Sequence, residues 1–371
     1  MKIGVDTFAS AGGRSGLGVY LLELLKRIPP GDQFELFGWD FDRYVYAETA
    51  VQCDFVSRCR FNGRTASTLW HLLRYPEFAV SREYKACFFP AAHRDLPYSS
   101  PCPSIGTVHD MAAYWGTRKT RESLGLIRMI LPDSLRHLDK IIAVSEFVKQ
   151  ELIDLVNVKE SKVTVIPNGV DHSKFYPRPR NEESLVLIQP FSFRRPYILY
   201  ASRIDYPVKN HIKLIEAFGI FKIRTRYPHR LVLAGADSKN AEMVKFAASA
   251  SKFRNEIYFT GHFPSTSLPE LYAGADFVVF PSSYEGFGLG VLEAMAAGVP
   301  VACARAASLP EAAEHAALYF DPADAEEMAD RMVSLTDRDL ARELRQKGLE
   351  RTKAFSWEDC AAKTFSLFRE M

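Results

Sequence analysis

Apolar residues along this chain fall into short uninterrupted runs, separated by longer stretches in which they recur every three or four positions. The run KIGVD (2–6) reads as a strand, and after a glycine-rich loop GVYLLELLKRI (18–28) has helical spacing. SIGTVHD (104–110), KIIAVS (140–145) and KVTVIPNGV (162–170) read as strands that end in polar or glycine residues. Strands alternating with helices in this way predict an α/β fold, a parallel sheet with helices on both faces.

The alternation breaks at DHSKFYPRPRNEESLVLIQPFSFRRP (171–196), which is rich in proline, charge and turn residues. A second series then begins with YILYASR (197–203), HIKLIEAFGIFKIRTRY (211–227) and HRLVLAG (229–235). It continues through EIYFTG (256–261), DFVVFPS (276–282), VPVACA (299–304) and helices near 324–335 and 338–354. The pattern predicts two domains, 1–180 and 197–356, joined by a linker at 181–196. A length of 371 residues suits two cores better than one. Open parallel sheets bind ligands beyond the carboxyl ends of their strands, so two such domains predict a cleft between them.

Composition changes little in this picture. The chain is 47% hydrophobic and 25% charged with a net charge of +2, slightly basic in its first half and slightly acidic in its second. Nothing in that balance points to nucleic acid. MKIGVDTF reads as a first strand and not a secretory signal, and no apolar run reaches the roughly 18 residues of a spanning helix, so a cytoplasmic protein is expected. The six cysteines form no CxxC and no Cys/His cluster, which favours reduced thiols over a zinc site or a disulfide framework.

The chemistry concentrates in PSSYEGFGLGVLEAMAAGVPV (281–301). Here a strand passes through a glycine turn into a helix that starts near Gly288–Gly290, with Glu285 in the turn and Glu293 in the first helical turns. Free N–H groups at such a start attract phosphate. Carboxylates only accept hydrogen bonds, so hydroxyls of a sugar or ribose fit them. The two side by side suggest a sugar attached to a nucleotide; a solvated loop glutamate and an ordinary helix glutamate is the plainer alternative.

YEGFGLGVLEAMAAGVPV resembles the E-x7-E signature of the GT-B nucleotide-sugar glycosyltransferases, in particular the retaining family 4. Six further stretches match in order: GRSGLGVY (13–20), VHD (108–110), VIPNGVD (165–171), ASRIDYPVKN (201–210), ASLPE (307–311) and FSWEDCAAKTF (355–365). The resemblance spans essentially the whole chain. It implies two facing Rossmann-like domains, the first binding acceptor and the second the nucleotide-sugar, with a last helix at about 357–371 packing back on the first.

By this resemblance Arg203 and Lys209 hold the diphosphate. Two cations where negative charge grows on the leaving group stabilise the transition state more than the ground state. Glu285 would meet donor sugar hydroxyls and Glu293 the ribose, with Phe287, Gly288 and Leu289 around the sugar and phosphates and Gly261 and His262 near the base. Gly290 stands where the family pattern has proline, a change expected to loosen the loop. Gly16, in the loop after the first strand, would close over the phosphates, with Gly13 and Arg14 on the acceptor side. His109 would face the scissile sugar without acting as a nucleophile, and Asp110 would shape the loop or touch acceptor.

The implied reaction is metal-independent hexosyl transfer with retention, a phosphate oxygen taking the acceptor proton and domain closure excluding water. Asp40 and Asp42 have DxD spacing but lie far in sequence from the donor motifs, and no cofactor is implied. GDP-mannose is the first donor reading and a UDP-hexose the second. The expected acceptor is a saccharide or lipid-linked saccharide of cell-surface polysaccharide synthesis. YWGTRKTRESLGLIRMI (114–130) offers basic and apolar residues for peripheral contact at the inner face of the cell membrane, or for packing within its own domain. The sequence carries no dimer signal. A GT-B phosphorylase, an epimerase or a paired-carboxylate hydrolase is a weaker fit. A noncatalytic nucleotide-sugar-binding subunit would be expected to have lost some of these residues.

Overall fold

The computed structural model describes residues 1–10, 16–46, 53–59, 64–112, 125–179, 185–188 and 191–371. It divides into two compact units, Met1–Gly169 with Phe355–Met371, and Val170–Ala354. The stretch 181–196, expected as the linker, falls inside the second unit, where Leu185–Ile188 and Phe191–Arg194 pair as an antiparallel ribbon.

The first unit is built on seven strands: β1 (Lys2–Asp6), β2 (Gln33–Trp39), β3 (Cys53–Cys59), β4 (Ala86–Phe89), β5 (Ser104–Val108), β6 (Lys140–Ala143) and β7 (Val163–Val165). They form one sheet in the order β3-β2-β1-β4-β5-β6-β7, with every neighbouring pair parallel. Strands β4 and β5 are buried along their whole length, as a sheet covered on both faces requires. The helix Trp357–Arg369, capped by Ser356 Oγ on the Asp359 N–H, closes one face of this core. Its Phe365 and Phe368 meet Phe34 and Phe88 edge-on, with ring centroids 5.3 and 5.8 Å apart.

The ribbon supplies β8 (Leu185–Ile188) and β9 (Phe191–Arg194). The second sheet then uses β10 (Tyr197–Ala201), β11 (Arg230–Ala234), β12 (Ile257–Phe259), β13 (Phe277–Phe280), β14 (Val301–Ala304) and β15 (Ala317–Phe320), in the order β12-β11-β10-β13-β14-β15, all parallel. The strand order reverses between β1 and β4 in the first sheet and between β10 and β13 in the second. Loops on either side of such a reversal diverge and leave room for a ligand beyond the strand ends. Both units are therefore Rossmann-like, the architecture of the GT-B class. Among the described residues no helix is long and apolar enough to cross a membrane.

Candidate active site

At the reversal point of the second sheet, the loop after β10 carries Arg203 and Lys209, and the loop after β13 carries Glu285. Hydrogen bonds to backbone carbonyls stitch these loops together. The Ser283 N–H donates to Val208 O at 3.0 Å, and Asn210 Nδ2 donates to Pro281 O at 3.1 Å and Pro322 O at 2.7 Å. Tyr200, buried in β10, donates its hydroxyl to Lys209 O at 3.0 Å and lies 2.8 Å from Ser282 Oγ. A third loop joins through Ser308, whose hydroxyl donates to Glu285 O at 2.8 Å.

This bracing fixes Lys209 Nζ 2.6 Å from Glu285 Oε1, both side chains about one-fifth exposed. An ammonium has three N–H donors, so the pair leaves Lys209 capacity for phosphate oxygens. Arg203 is exposed, and its guanidinium has no carboxylate partner among the described residues.

The helix Leu289–Ala296 begins at Gly288, whose φ of +90° is a left-handed conformation that a side chain would strain. Phe287 is buried beside it. The helix's first internal bond runs from the Val291 N–H to Gly288 O, so the Leu289 and Gly290 amides lie ahead of the ladder and at the positive end of the dipole. At Gly290 the expectation of a loosened loop is corrected. A Cβ there would come 3.0 Å from Phe280 Cε1 and 3.2 Å from the Tyr272 hydroxyl, so aromatic rings occupy the space and the turn is tightly packed.

Glu293 lies one helical turn further in. Burial raises its carboxyl to about 8, opposed only by the charge of Lys174, and no hydrogen bond from the described residues compensates. Gly261 and His262 follow the carboxyl end of β12 at the far side of the same sheet edge, His262 exposed and Gly261 bridged to Gly235.

In the first unit His109 and Asp110 follow the carboxyl end of β5. His109 Nε2 lies 2.9 Å from Pro90 O, which fixes it as the N–H donor and leaves Nδ1 as an acceptor. Its ring packs edge-on to Tyr20 at 4.6 Å. Burial first, and the charge of neighbouring His93 second, lower its pKa to about 3, so it is neutral across the physiological range. His93 was not singled out from the sequence. Its Nδ1 accepts from the His109 N–H at 3.4 Å, and its Nε2 lies 3.7 Å from Asp110 Oδ2. Burial pushes the Asp110 carboxyl up, but His93 and the Ala112 N–H outweigh it and the net shift is downward. Gly16 opens the helix Gly16–Leu25, and a Cβ there would meet nothing within 4 Å. Gly13 and Arg14 lie outside the described residues, as do 114–124 and the side chains of 125–129 from the proposed membrane stretch.

Asp42 is fully buried and accepts from Thr7 Oγ1 at 2.9 Å and from the Trp39 N–H at 3.2 Å, so the DxD spacing marks a structural bond within the first unit. Among the described residues no three His, Cys, Asp or Glu side chains gather as a metal site would require.

Two Rossmann-like units, the second with cations and carboxylates around a helix start, define the class of enzyme that handles nucleotide-sugars. Residues 14–174 match the model of Glycosyltransferase Family 4 and residues 188–351 that of Glycosyl transferases group 1, and the chain belongs to this GT-B family. It is thus a nucleotide-sugar-dependent glycosyltransferase acting on a saccharide acceptor. It is 28% identical to O-antigen chain mannosyltransferase B of Escherichia coli over 370 residues, 96% of each chain. A serotype-specific mannosyltransferase, WbdA of Escherichia coli, is 30% identical over 226 residues, 60% of this chain and 28% of that one. Among solved structures, HepE of Anabaena in complex with UDP and glucose aligns with a TM-score of 0.75 at 17% identity, covering 100% of both chains. Sucrose-phosphate synthase of Thermosynechococcus elongatus aligns with a TM-score of 0.77 at 20% identity, covering 100% of this chain and 98% of that one.

Proposed function

We propose that this chain transfers a hexose with retention of configuration, with mannose from GDP-mannose as the first donor, to a saccharide or lipid-linked saccharide of a cell-surface polysaccharide. The observation that carries this reading is the braced Lys209–Glu285 pair, with the half-buried Glu293 carboxyl in the helix that starts at Gly288. Full-length similarity to a mannosyltransferase of O-antigen chains supports the sugar and the acceptor class. A UDP-hexose is the second reading, favoured by the fold's likeness to a protein solved with UDP and glucose.

In the proposed reaction the bond from the anomeric carbon to the diphosphate oxygen breaks, and the electron pair leaves with the diphosphate. Arg203 and Lys209 stabilise that charge as it develops, with the Leu289 and Gly290 amides adding their dipoles. The acceptor oxygen bonds the same carbon on the same face and gives its proton to a phosphate oxygen. Glu285 orients sugar hydroxyls and Glu293 the ribose. In the first unit, His109 offers Nδ1 to a hydroxyl as a neutral acceptor, Gly16 closes over the donor phosphates, and Gly13, Arg14 and Asp110 serve the acceptor side.

The test is a binding and donor-hydrolysis screen of the purified protein against GDP-, UDP- and ADP-sugars, with Lys209→Ala and Glu285→Ala alongside. Selective binding and slow sugar release from one donor, with turnover falling about 10²–10³-fold in Lys209→Ala, is the expected result. Binding and release unchanged in both variants would move the donor site elsewhere, and no binding by folded protein would favour an assembly subunit that handles no donor.

A further inference from the structure

The second unit carries another cavity, at the amino-terminal edge of its sheet and so opposite the edge that bears Arg203 and Glu285. It measures about 510 Å³ and is bounded by the segments that lead into β11, β13 and β14 and by the helix Arg338–Thr352. That volume lies within the range of small-molecule sites. We propose that it binds a small organic phosphate.

The helix contributes Arg338, Arg342 and Arg345 to the lining. Spacings of four and seven residues put all three guanidinium groups on one helical stripe. Against them the lining sets a single carboxylate, Asp276, which His229 Nε2 already engages at 3.1 Å. Arg342 pairs with Asp339 at 3.0 Å, but both side chains are largely exposed, and such a surface pair exchanges readily for a stronger anion.

Two polar atoms of the lining residues lack a hydrogen-bond partner among the described residues. Arg345 Nε is buried without a hydrogen-bond partner among the described residues. His229, only 7% exposed, has its Nδ1 in the same condition, while its other nitrogen faces Asp276. Buried polar atoms are nearly always satisfied, and a guanidinium N–H without an acceptor costs most of all. A phosphate at this wall would accept from Arg345 and neutralise the stripe. Protonated, His229 would donate to it from Nδ1; neutral, it would accept from a ligand hydroxyl through the same atom. The ligand is larger than phosphate alone, because Tyr227, Phe277 and Leu335 line the remaining volume and suit a sugar ring or similar carbon skeleton.

Calorimetric titration of the intact protein tests this with three probes: a hexose 6-phosphate, inorganic phosphate and the unphosphorylated hexose. Saturable binding of the hexose phosphate alone is expected, weakened about tenfold or more in Arg345→Gln and in Arg338→Gln, while nucleoside diphosphate binding in both variants stays as in the wild type. That last measurement also shows that the variants fold. Absence of saturable binding at millimolar probe overturns the proposal, as does equal binding by the variants or displacement of the probe by nucleoside diphosphate. Equal affinity for inorganic phosphate overturns the organic part of the assignment.

Discussion

At the carboxyl edge of the second sheet the polar groups are charged and cross-braced; at that of the first, the histidine nominated for chemistry is neutral. Lys209 and Glu285 form an ion pair at 2.6 Å, held by hydrogen bonds from the Asn210 and Tyr200 side chains and the Ser283 N–H. His109 is instead fixed by one carbonyl, from Pro90, and by its contact with His93, and burial keeps its proton count constant. Charge developing on a leaving diphosphate needs preorganised cations, which the first arrangement provides. Orienting a sugar hydroxyl needs only a well-placed lone pair, which the second provides. In the proposed reaction this contrast gives electrostatics to one unit and orientation to the other.

The sharpest way to break that contrast is to remove His109. His109→Ala should lower the transfer rate about 10²-fold, as expected for a lost orienting contact, with nucleoside diphosphate affinity unchanged. Because its pKa is held at about 3, the wild-type rate should show no His109 titration between pH 5 and 8. A pH–rate limb near 6.5 that disappears in the variant would show that His109 works as an acid or base, and the contrast would fall. Stability is affected with a definite sign. The unfolded histidine takes up its proton near 6.5 and the folded one near 3, so within that window the unfolded chain binds more protons and stability drops as pH falls.

A smaller effect tests the bracing. Asn210→Ala removes both amide bonds that tie the Lys209 loop to Pro281 and Pro322 and should cost about 1–3 kcal/mol of stability. If the bracing sets the position of Lys209, kcat should fall about tenfold with little change in donor KM. A loss of stability with unaltered kcat would reduce Asn210 to a structural role.

How much of this was legible follows from what each residue answers to. The two sheets and the E-x7-E turn could be read because strand runs, glycine turns and helix spacing are local features. The bracing could not, since Tyr200 reads in sequence as one more core aromatic and Ser308 as one more helix start. Protonation is the least legible property. His71 is buried and His109 half-buried in the first unit, yet Asp6 at 2.8 Å raises the first against its desolvation while desolvation and His93 depress the second. Gly290 misled for the same reason, because Tyr272 and Phe280, which fill the space beside it, are distant in the chain.

Glu293 provides the finest test, because in it stability and function oppose each other. Its folded carboxyl titrates at about 8 and its unfolded one at the ordinary 4.5. Between those values the folded chain holds a proton that the unfolded chain has released, so stability falls as pH rises through the window. Glu293→Gln removes that titration. The variant should melt about 2–4 °C above the wild type at pH 8.5 for each kcal/mol recovered, and the difference should shrink toward pH 4.5. The same substitution removes a carboxyl group that can ionise when it accepts from ribose hydroxyls and should weaken nucleotide-sugar binding by about tenfold. A stability difference that does not change with pH would mean that Glu293 is not desolvated. A stability gain with unweakened donor binding would mean that its burial serves packing and that the ribose is held elsewhere.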